Sequence, residues 1–160
     1  MNAAAYCTYR GLPVPLLLVC EDNGLGISVR SPEGWIEQSL SRYPGIEYRA
    51  VDGADAVSTL VTTGEVVERV RATRSPAILH LKTVRFLGHA GSDVESAYRS
   101  RDEITADYAR DPLLATAAEL VARDLFTPVE IVERYESVRG EVAEVADALH
   151  HPRVSNPQHR

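Results

Sequence analysis

The stretch Leu16-Leu17-Leu18-Val19-Cys20-Glu21-Asp22-Asn23-Gly24-Leu25-Gly26 decides how this chain is read. Its first five residues are a continuous apolar run, the pattern of a parallel strand covered by helices on both faces. The run then breaks into a polar, glycine-rich turn. A second segment has the same form. Residues 77–84 read as a strand, and Arg85-Phe86-Leu87-Gly88-His89-Ala90-Gly91-Ser92-Asp93, followed by Ala97-Tyr98-Arg99, reads as the loop that leaves it. In an open α/β sheet, ligands bind at the carboxyl ends of parallel strands, so two such ends would aim Asn23 and His89 at one crevice.

Outward from this pair, strand and helix patterns alternate. Residues 2–9 are Ala-rich and read as the last turns of a helix stopped by Gly11, Pro13 and Pro15. No capping residue precedes them, so the chain is expected to begin in mid-helix. Ser31-Pro32 reads as N-cap and first residue of an amphipathic helix over residues 31–42 that carries Trp35. Residues 46–51 read as a strand ending at Asp52-Gly53. A long helix follows over residues 55–73, with Ala56, Val57, Leu60, Val61, Gly64, Val67 and Val70 as its apolar face. Such alternation implies βαβ units. After Arg85 comes a loop of about fifteen residues, a length uncommon unless functional or disordered. From Asp102 onward the pattern is helical, with Asp111-Pro112 opening one helix and Thr127-Pro128 another. The expected fold class is α/β: the C-terminal part of a doubly wound, mostly parallel sheet over residues 1–101, a helical extension over 102–150 and a disordered tail over 151–160.

The chain has 160 residues, enough for one ordinary domain or part of one. With 25% charged and 44% hydrophobic residues it has a globular balance. A net charge of -6 gives no basic footprint for nucleic acid. The apolar run over residues 13–20 is far short of the roughly 20 residues that span a bilayer, and no signal segment opens the chain, so a soluble, cytoplasmic protein without membrane partners is expected. Cys7 and Cys20 read as reduced thiols and not as nucleophiles.

Two readings of Asn23-Gly24 stand side by side. One is a tight hairpin turn joining residues 16–20 to 27–29. The other makes the Asn23 side-chain carbonyl and the Leu25 backbone carbonyl ligands of a hard cation such as magnesium, which prefers oxygen donors shared with a diphosphate. Gly24 and Gly26 would let the backbone pass close to that ligand. His89 lies between small residues, with Ser92, Asp93, Tyr98 and Arg99 in reach as hydrogen-bond partners, and could stand over a bound cofactor. Val51-Asp52-Gly53 reads as a strand-ending turn, not as part of a diphosphate motif. His150 and His151 are adjacent on a helix and lack a third ligand, so they read as solvent-exposed.

Taken in order, Asn2-Ala3-Ala4, Leu12-Pro13-Val14-Pro15, Glu21-Asp22-Asn23-Gly24, Val51-Asp52-Gly53, His89 with Ser92-Asp93, and Ala97-Tyr98-Arg99-Ser100 resemble one family. It is the alpha subunit of the thiamine-diphosphate-dependent first component of the 2-oxo acid dehydrogenase complexes. The resemblance runs from residue 2 to about residue 120, and the helical remainder is compatible with that subunit's C-terminal part. It implies a thiamine-diphosphate-binding fold. It also implies that Asn23 and the Leu25 carbonyl ligate magnesium, that Gly26 lies against the cofactor, and that His89 stands beside thiamine diphosphate, with Ser92, Asp93, Tyr98 and Arg99 in its supporting loop. The family's cofactor motif opens with Gly-Asp-Gly and closes with Asn-Asn. Here Asp22 stands for the first Asn, and the Gly-Asp-Gly half with its metal-binding Asp would lie upstream of Met1. Ala90 occupies a position where regulated members carry a phosphorylatable Ser, so that control would be absent.

The activity implied is decarboxylation of a 2-oxo acid and transfer of the acyl group to a lipoyl group. The implied partners are a pyrimidine-binding beta subunit or fused second half, which supplies a glutamate to the cofactor, and a lipoyl-bearing acyltransferase, in a hetero-oligomer. By itself the chain is expected to be inactive. An acetoin dehydrogenase-type alpha subunit is an alternative within the same chemistry. A non-catalytic half-domain acting as an assembly module is an alternative of another class, and an unpaired sheet edge would make that module associate.

Overall fold

A computed structural model describes residues 1–150. The expected tail over 151–160, and the side chains of His150 and His151, lie outside the described residues. The chain forms two compact units, Met1–Thr116 and Ala117–Arg160.

The first unit is built on a parallel sheet in the order β1 (Leu17–Asp22), β5 (Ala77–Lys82), β4 (Glu47–Asp52). The strands run in step, with Leu17 and Glu47 both opposite Ala77, and Asp22 and Asp52 both opposite Lys82. Paired on both sides, β5 is buried over its first four residues. Side chains alternate across the sheet. On one face Ala77 packs with Leu17 beneath Val66 and Val70 of α3 (Ala56–Thr73). On the other, Ile78 packs with Leu18 and Tyr48 beneath Ala4 of α1 (Asn2–Tyr9) and Leu40 of α2 (Trp35–Leu40). The expected α/β class with helices on both faces is therefore what forms.

Several local expectations are corrected. The hairpin that would join residues 16–20 to 27–29 across Asn23-Gly24 does not form, because residues 17–22 pair in parallel with β5, and a shorter hairpin forms beyond it. It pairs β2 (Leu25–Gly26) with β3 (Val29–Arg30), with Ile27 at φ 60 in the connecting turn. Strand β1 continues through Glu21 and Asp22, because β5 offers it pairing partners that far. The helix expected over 31–42 is only Trp35–Leu40 and has no side-chain cap. The Ser31 amide is instead bonded to the Gly24 carbonyl (2.9 Å), which closes the hairpin, and the chain enters the helix through Gly34 at φ 68. The buried face of α3 follows the apolar stripe only at Val70, which is buried, and is otherwise rotated from it. Val66 is 2% exposed, whereas Val57, Leu60 and Val61 face solvent. Strand β1 is an edge among the described residues, with Val19 exposed, so its two-sided cover is incomplete.

Asp55 caps α3, its carboxylate accepting from the Ser58 amide (3.0 Å) and hydroxyl (2.6 Å). After the long loop, Ser100 and Glu103 form a capping box that opens α4 (Arg101–Tyr108). Asp111-Pro112 opens α5 (Pro112–Ala122), and Thr127-Pro128 opens α6 (Pro128–His150), as their sequences predict. Cys7 and Cys20 are free and half-buried, and burial with the Asp22 and Glu21 charges pushes the Cys20 thiol up. No helix among the described residues is long and apolar enough to cross a membrane.

Candidate functional site

Because β1, β4 and β5 run parallel and in step, their carboxyl ends deliver Asn23, Gly53 and Thr83 to one edge of the sheet. Between them lies a cleft of about 350 Å³ that Asn23, Gly53, Thr83, Arg85 and Phe86 help to line. Gly53 sits against β5, its amide donating to the Lys82 carbonyl (2.9 Å), and a Cβ there would come within 2.9 Å of Thr83 Cγ2. The turn reading of Val51-Asp52-Gly53 therefore holds. The position requires glycine for closeness of approach.

The Asn23 turn is tightly specified. Asp22 Oδ1 accepts from the Gly24 amide (2.8 Å), and Asn23 Oδ1 accepts from the Leu25 amide (3.0 Å). Gly24 takes φ 72, a left-handed value that favours glycine. Because the Ser31 amide donates to the Gly24 carbonyl, Gly24 and Ser31 form a hydrogen-bonded pair of the ladder, and the next pair, Leu25 with Arg30, is the non-bonded kind. The Leu25 amide and carbonyl thus face away from β3. A side-chain carbonyl with one lone pair to spare and a backbone carbonyl not used by the hairpin are left in neighbouring positions.

The loop after β5 is organised around Asp93. Its carboxylate accepts from the His89 amide (2.7 Å), the Tyr98 hydroxyl (2.8 Å) and the Ser28 hydroxyl (2.9 Å), with Arg85 Nη2 at 3.6 Å. The His89 amide first, then Tyr98, hold the Asp93 carboxyl below the usual carboxylate range, while burial and Asp93 push the Tyr98 phenol up. Arg85 donates to the Ile27 carbonyl (2.8 Å) and to the Tyr98 hydroxyl (2.5 Å), and its guanidinium lies 6.0 Å from the Tyr98 ring centroid. Its Nε is buried without a partner. Two tethers, Ser28 to Asp93 and Arg85 to Ile27, thereby tie the β2–β3 hairpin to the His89 loop. A Cβ at Gly88 would stand 2.6 Å from the Asp93 carbonyl oxygen, so glycine there lets the loop close on itself.

The structure does not treat the anticipated site residues alike. Asn23, Leu25 and Gly26 share one turn, and Asp93 and Tyr98 join that turn's hairpin to the loop of His89. The His89 imidazole is exposed and does not line the cleft. Ser92 is exposed. Arg99 does not serve His89 as a side-chain partner. It is a buried strut that donates to Glu95 (2.5 Å) and to Asp107 and reaches the Arg85 carbonyl (3.5 Å). Among the described residues no group of three or more His, Cys, Asp or Glu could hold a metal ion.

Sequence reading missed Arg85, and it missed His80, which is 1% exposed at the centre of β5 and bonded to Asp22 and Tyr48. The available signal was a histidine inside the apolar run Ala77-Ile78-Leu79-His80-Leu81, since a polar group buried in a central strand demands partners.

Residues 3–157 match the family model described as "Dehydrogenase E1 component". The chain is 31% identical over 142 residues to the alpha subunit type I of the mitochondrial pyruvate dehydrogenase E1 component of Ascaris suum, covering 86% of this chain and 35% of that protein. It is 32% identical over 139 residues to the corresponding mitochondrial alpha subunit of Pisum sativum (82% of this chain, 33% of that one). It is likewise 32% identical over 142 residues to the pyruvate dehydrogenase E1 alpha subunit of Zymomonas mobilis (84% and 38%). The chain spans about a third of the length of these curated relatives. With a parallel sheet that gathers Asn23 and the His89 loop at its carboxyl edge, and a family match over nearly its whole length, the chain belongs to the dehydrogenase E1 component family.

Proposed function

We propose that this chain supplies the diphosphate-binding side of a thiamine-diphosphate-dependent 2-oxo acid dehydrogenase that decarboxylates its substrate and passes the acyl group to a lipoyl group. The carrying observation is the Asn23–Leu25 turn, in which Asn23 Oδ1 accepts only the Leu25 amide and keeps a second lone pair, the Leu25 carbonyl lies outside the β2–β3 ladder, and Ser28 tethers the hairpin to the His89 loop through Asp93. This donor set fits magnesium. Hard cations take oxygen ligands, and magnesium in particular is shared with phosphate oxygens instead of being caged by protein alone. These two neutral oxygens would leave the rest of the shell to the diphosphate and other donors.

When bound, thiamine diphosphate supplies the nucleophilic carbon and the electron sink for decarboxylation. This chain's own residues bind and place. Asn23 and Leu25 would hold the cation, Gly24 and Gly26 would allow its close approach, and His89 would donate or accept a proton at the bound ligand. Asp93 fixes the His89 backbone, and the small neighbours Gly88 and Ala90 leave the imidazole free to approach a ligand. The partners in this reading are a pyrimidine-binding beta subunit or fused second half and a lipoyl-bearing acyltransferase. Because the relatives named above are pyruvate dehydrogenase subunits, pyruvate is the first substrate to test.

The deciding experiment is Asn23→Ala in the full-length protein, with thiamine diphosphate binding titrated at several magnesium concentrations. We expect affinity to fall by at least about tenfold and its magnesium dependence to flatten. Binding that keeps both its strength and its magnesium dependence would exclude Asn23 as a ligand.

A further inference from the structure

His80 has no part in the site as built above, yet it is connected to it. It is buried at the centre of β5, and both ring nitrogens are engaged. Nε2 lies 2.9 Å from Asp22 Oδ2, and Nδ1 lies 2.6 Å from the Tyr48 hydroxyl oxygen. An ionised carboxylate only accepts, so in the neutral ring Nε2–H donates to Asp22 and Nδ1 accepts the Tyr48 hydroxyl proton. The three residues come from β1, β5 and β4, so the chain of bonds crosses the whole sheet. It continues beyond Asp22, whose other oxygen accepts from the Gly24 amide at 2.8 Å, while the Gly24 carbonyl accepts from the Ser31 amide at 2.9 Å. Gly24 is the residue between Asn23 and Leu25.

A buried polar relay of this kind is not what the core needs for stability, since an apolar side chain of similar volume would fill the same space without desolvating an imidazole and a carboxylate. Its effect is orientation. Asp22 is rigid because His80 holds one oxygen, His80 is rigid because Tyr48 fixes its ring, and the remaining Asp22 oxygen holds the backbone of the turn. The nearby charges do not compete for these bonds, since Lys82 and Glu37 on the same face pair with each other at 3.1 Å.

We propose that His80, oriented by Tyr48, is a positioning residue that fixes Asp22 and, through it, the Asn23–Leu25 turn in the geometry that receives magnesium and the diphosphate. The inference rests on the reading of Asn23 and Leu25 as the cation's donors. Magnesium tolerates little departure from ideal geometry, so a loosened turn loses affinity even though no donor is removed.

The test uses the full-length protein, in the assembly in which it is isolated, carrying His80→Gln, Tyr48→Phe or Asn23→Ala. Two quantities are read for each variant: amide hydrogen exchange of residues 22–26 without cofactor, and magnesium-dependent affinity for thiamine diphosphate. His80→Gln is expected to speed exchange in that segment while α3 stays protected, and to weaken binding by about tenfold, the scale of an outer-shell partner. Tyr48→Phe acts in the same direction by about threefold, the size of one neutral hydrogen bond. If His80→Gln does not fold, Tyr48→Phe decides alone. Unchanged exchange over 22–26 overturns the tether. Exchange that rises across the whole sheet with affinity unchanged shows a purely structural histidine, and also overturns it. If Asn23→Ala destroys magnesium-dependent binding and the other two variants leave it intact, the positioning role alone falls. If Asn23→Ala is itself without effect, the reading of the turn fails and the inference fails with it.

Discussion

At Asp93 three donors converge on one carboxylate, and the largest contribution holding it ionised comes from the His89 amide. The sign of the pH dependence follows. A carboxyl lowered in the folded state adds stability that is fully present above the ordinary Asp value of about 3.9, and that stability is lost as pH falls through the lower folded value. We therefore expect the His89 loop to open only in acid below about pH 4. Asp93→Asn should weaken the acid dependence of loop protection, measured by hydrogen exchange over residues 85–99. Asp55, lowered by its bonds to Ser58, acts in the same direction at the α3 cap. For His89, a general acid or base contributes about 10²–10⁴ in rate. His89→Ala should thus lower acyl transfer to lipoamide by about a hundredfold or more, while cofactor affinity changes only a few-fold; unchanged turnover would remove His89 from the mechanism. Most of these residues were legible as types in a pattern. Their division of labour was not, because nothing in Tyr98-Arg99 says that the first bonds Asp93 and the second is buried between Glu95 and Asp107.

Among the elements, α3 shows how far periodicity carries. Its span over residues 55–73 follows from sequence, but of the predicted face of Ala56, Val57, Leu60, Val61, Gly64, Val67 and Val70, the residues Val57, Leu60 and Val61 are exposed and only Val70 is buried. Val66, outside the predicted face, joins Val70 in packing against Ala77 of β5 and Leu17 of β1. Val66→Ala should therefore cost about 2 kcal/mol, in the range of buried large-to-small changes. Leu60→Ala, at a position 76% exposed, should stay within about 0.5 kcal/mol. Denaturant unfolding of the two variants distinguishes them, and equal losses would mean that the helix packs through its stripe. The loop after β5 makes a second prediction. Gly88→Ala places a methyl 2.6 Å from the Asp93 carbonyl, so it should disturb the His89 loop and reduce turnover more than it lowers the thermal midpoint.

On the scale of the whole molecule, β1 has one unpaired edge among the described residues, and Val19 of β1 and Val57, Leu60 and Val61 of α3 are exposed. Unpaired strand edges and apolar stripes favour association. The 17.6 kDa chain by itself should sediment faster as its concentration rises, and a single monomeric species at all concentrations would count against that expectation. The sequence by itself determined the α/β class, the order of the elements, the helix openings at Asp111-Pro112 and Thr127-Pro128, and the turn and loop that carry Asn23 and His89. These follow from local composition and period, which a strand or helix reveals over a few residues. Only the tertiary structure decided which face of α3 is buried, that Ser31 closes a hairpin instead of capping a helix, and that Asp22, His80 and Tyr48 meet. Those outcomes depend on packing and hydrogen bonds between separate segments, as far as 58 residues apart for Asp22 and His80, which local composition and period do not contain.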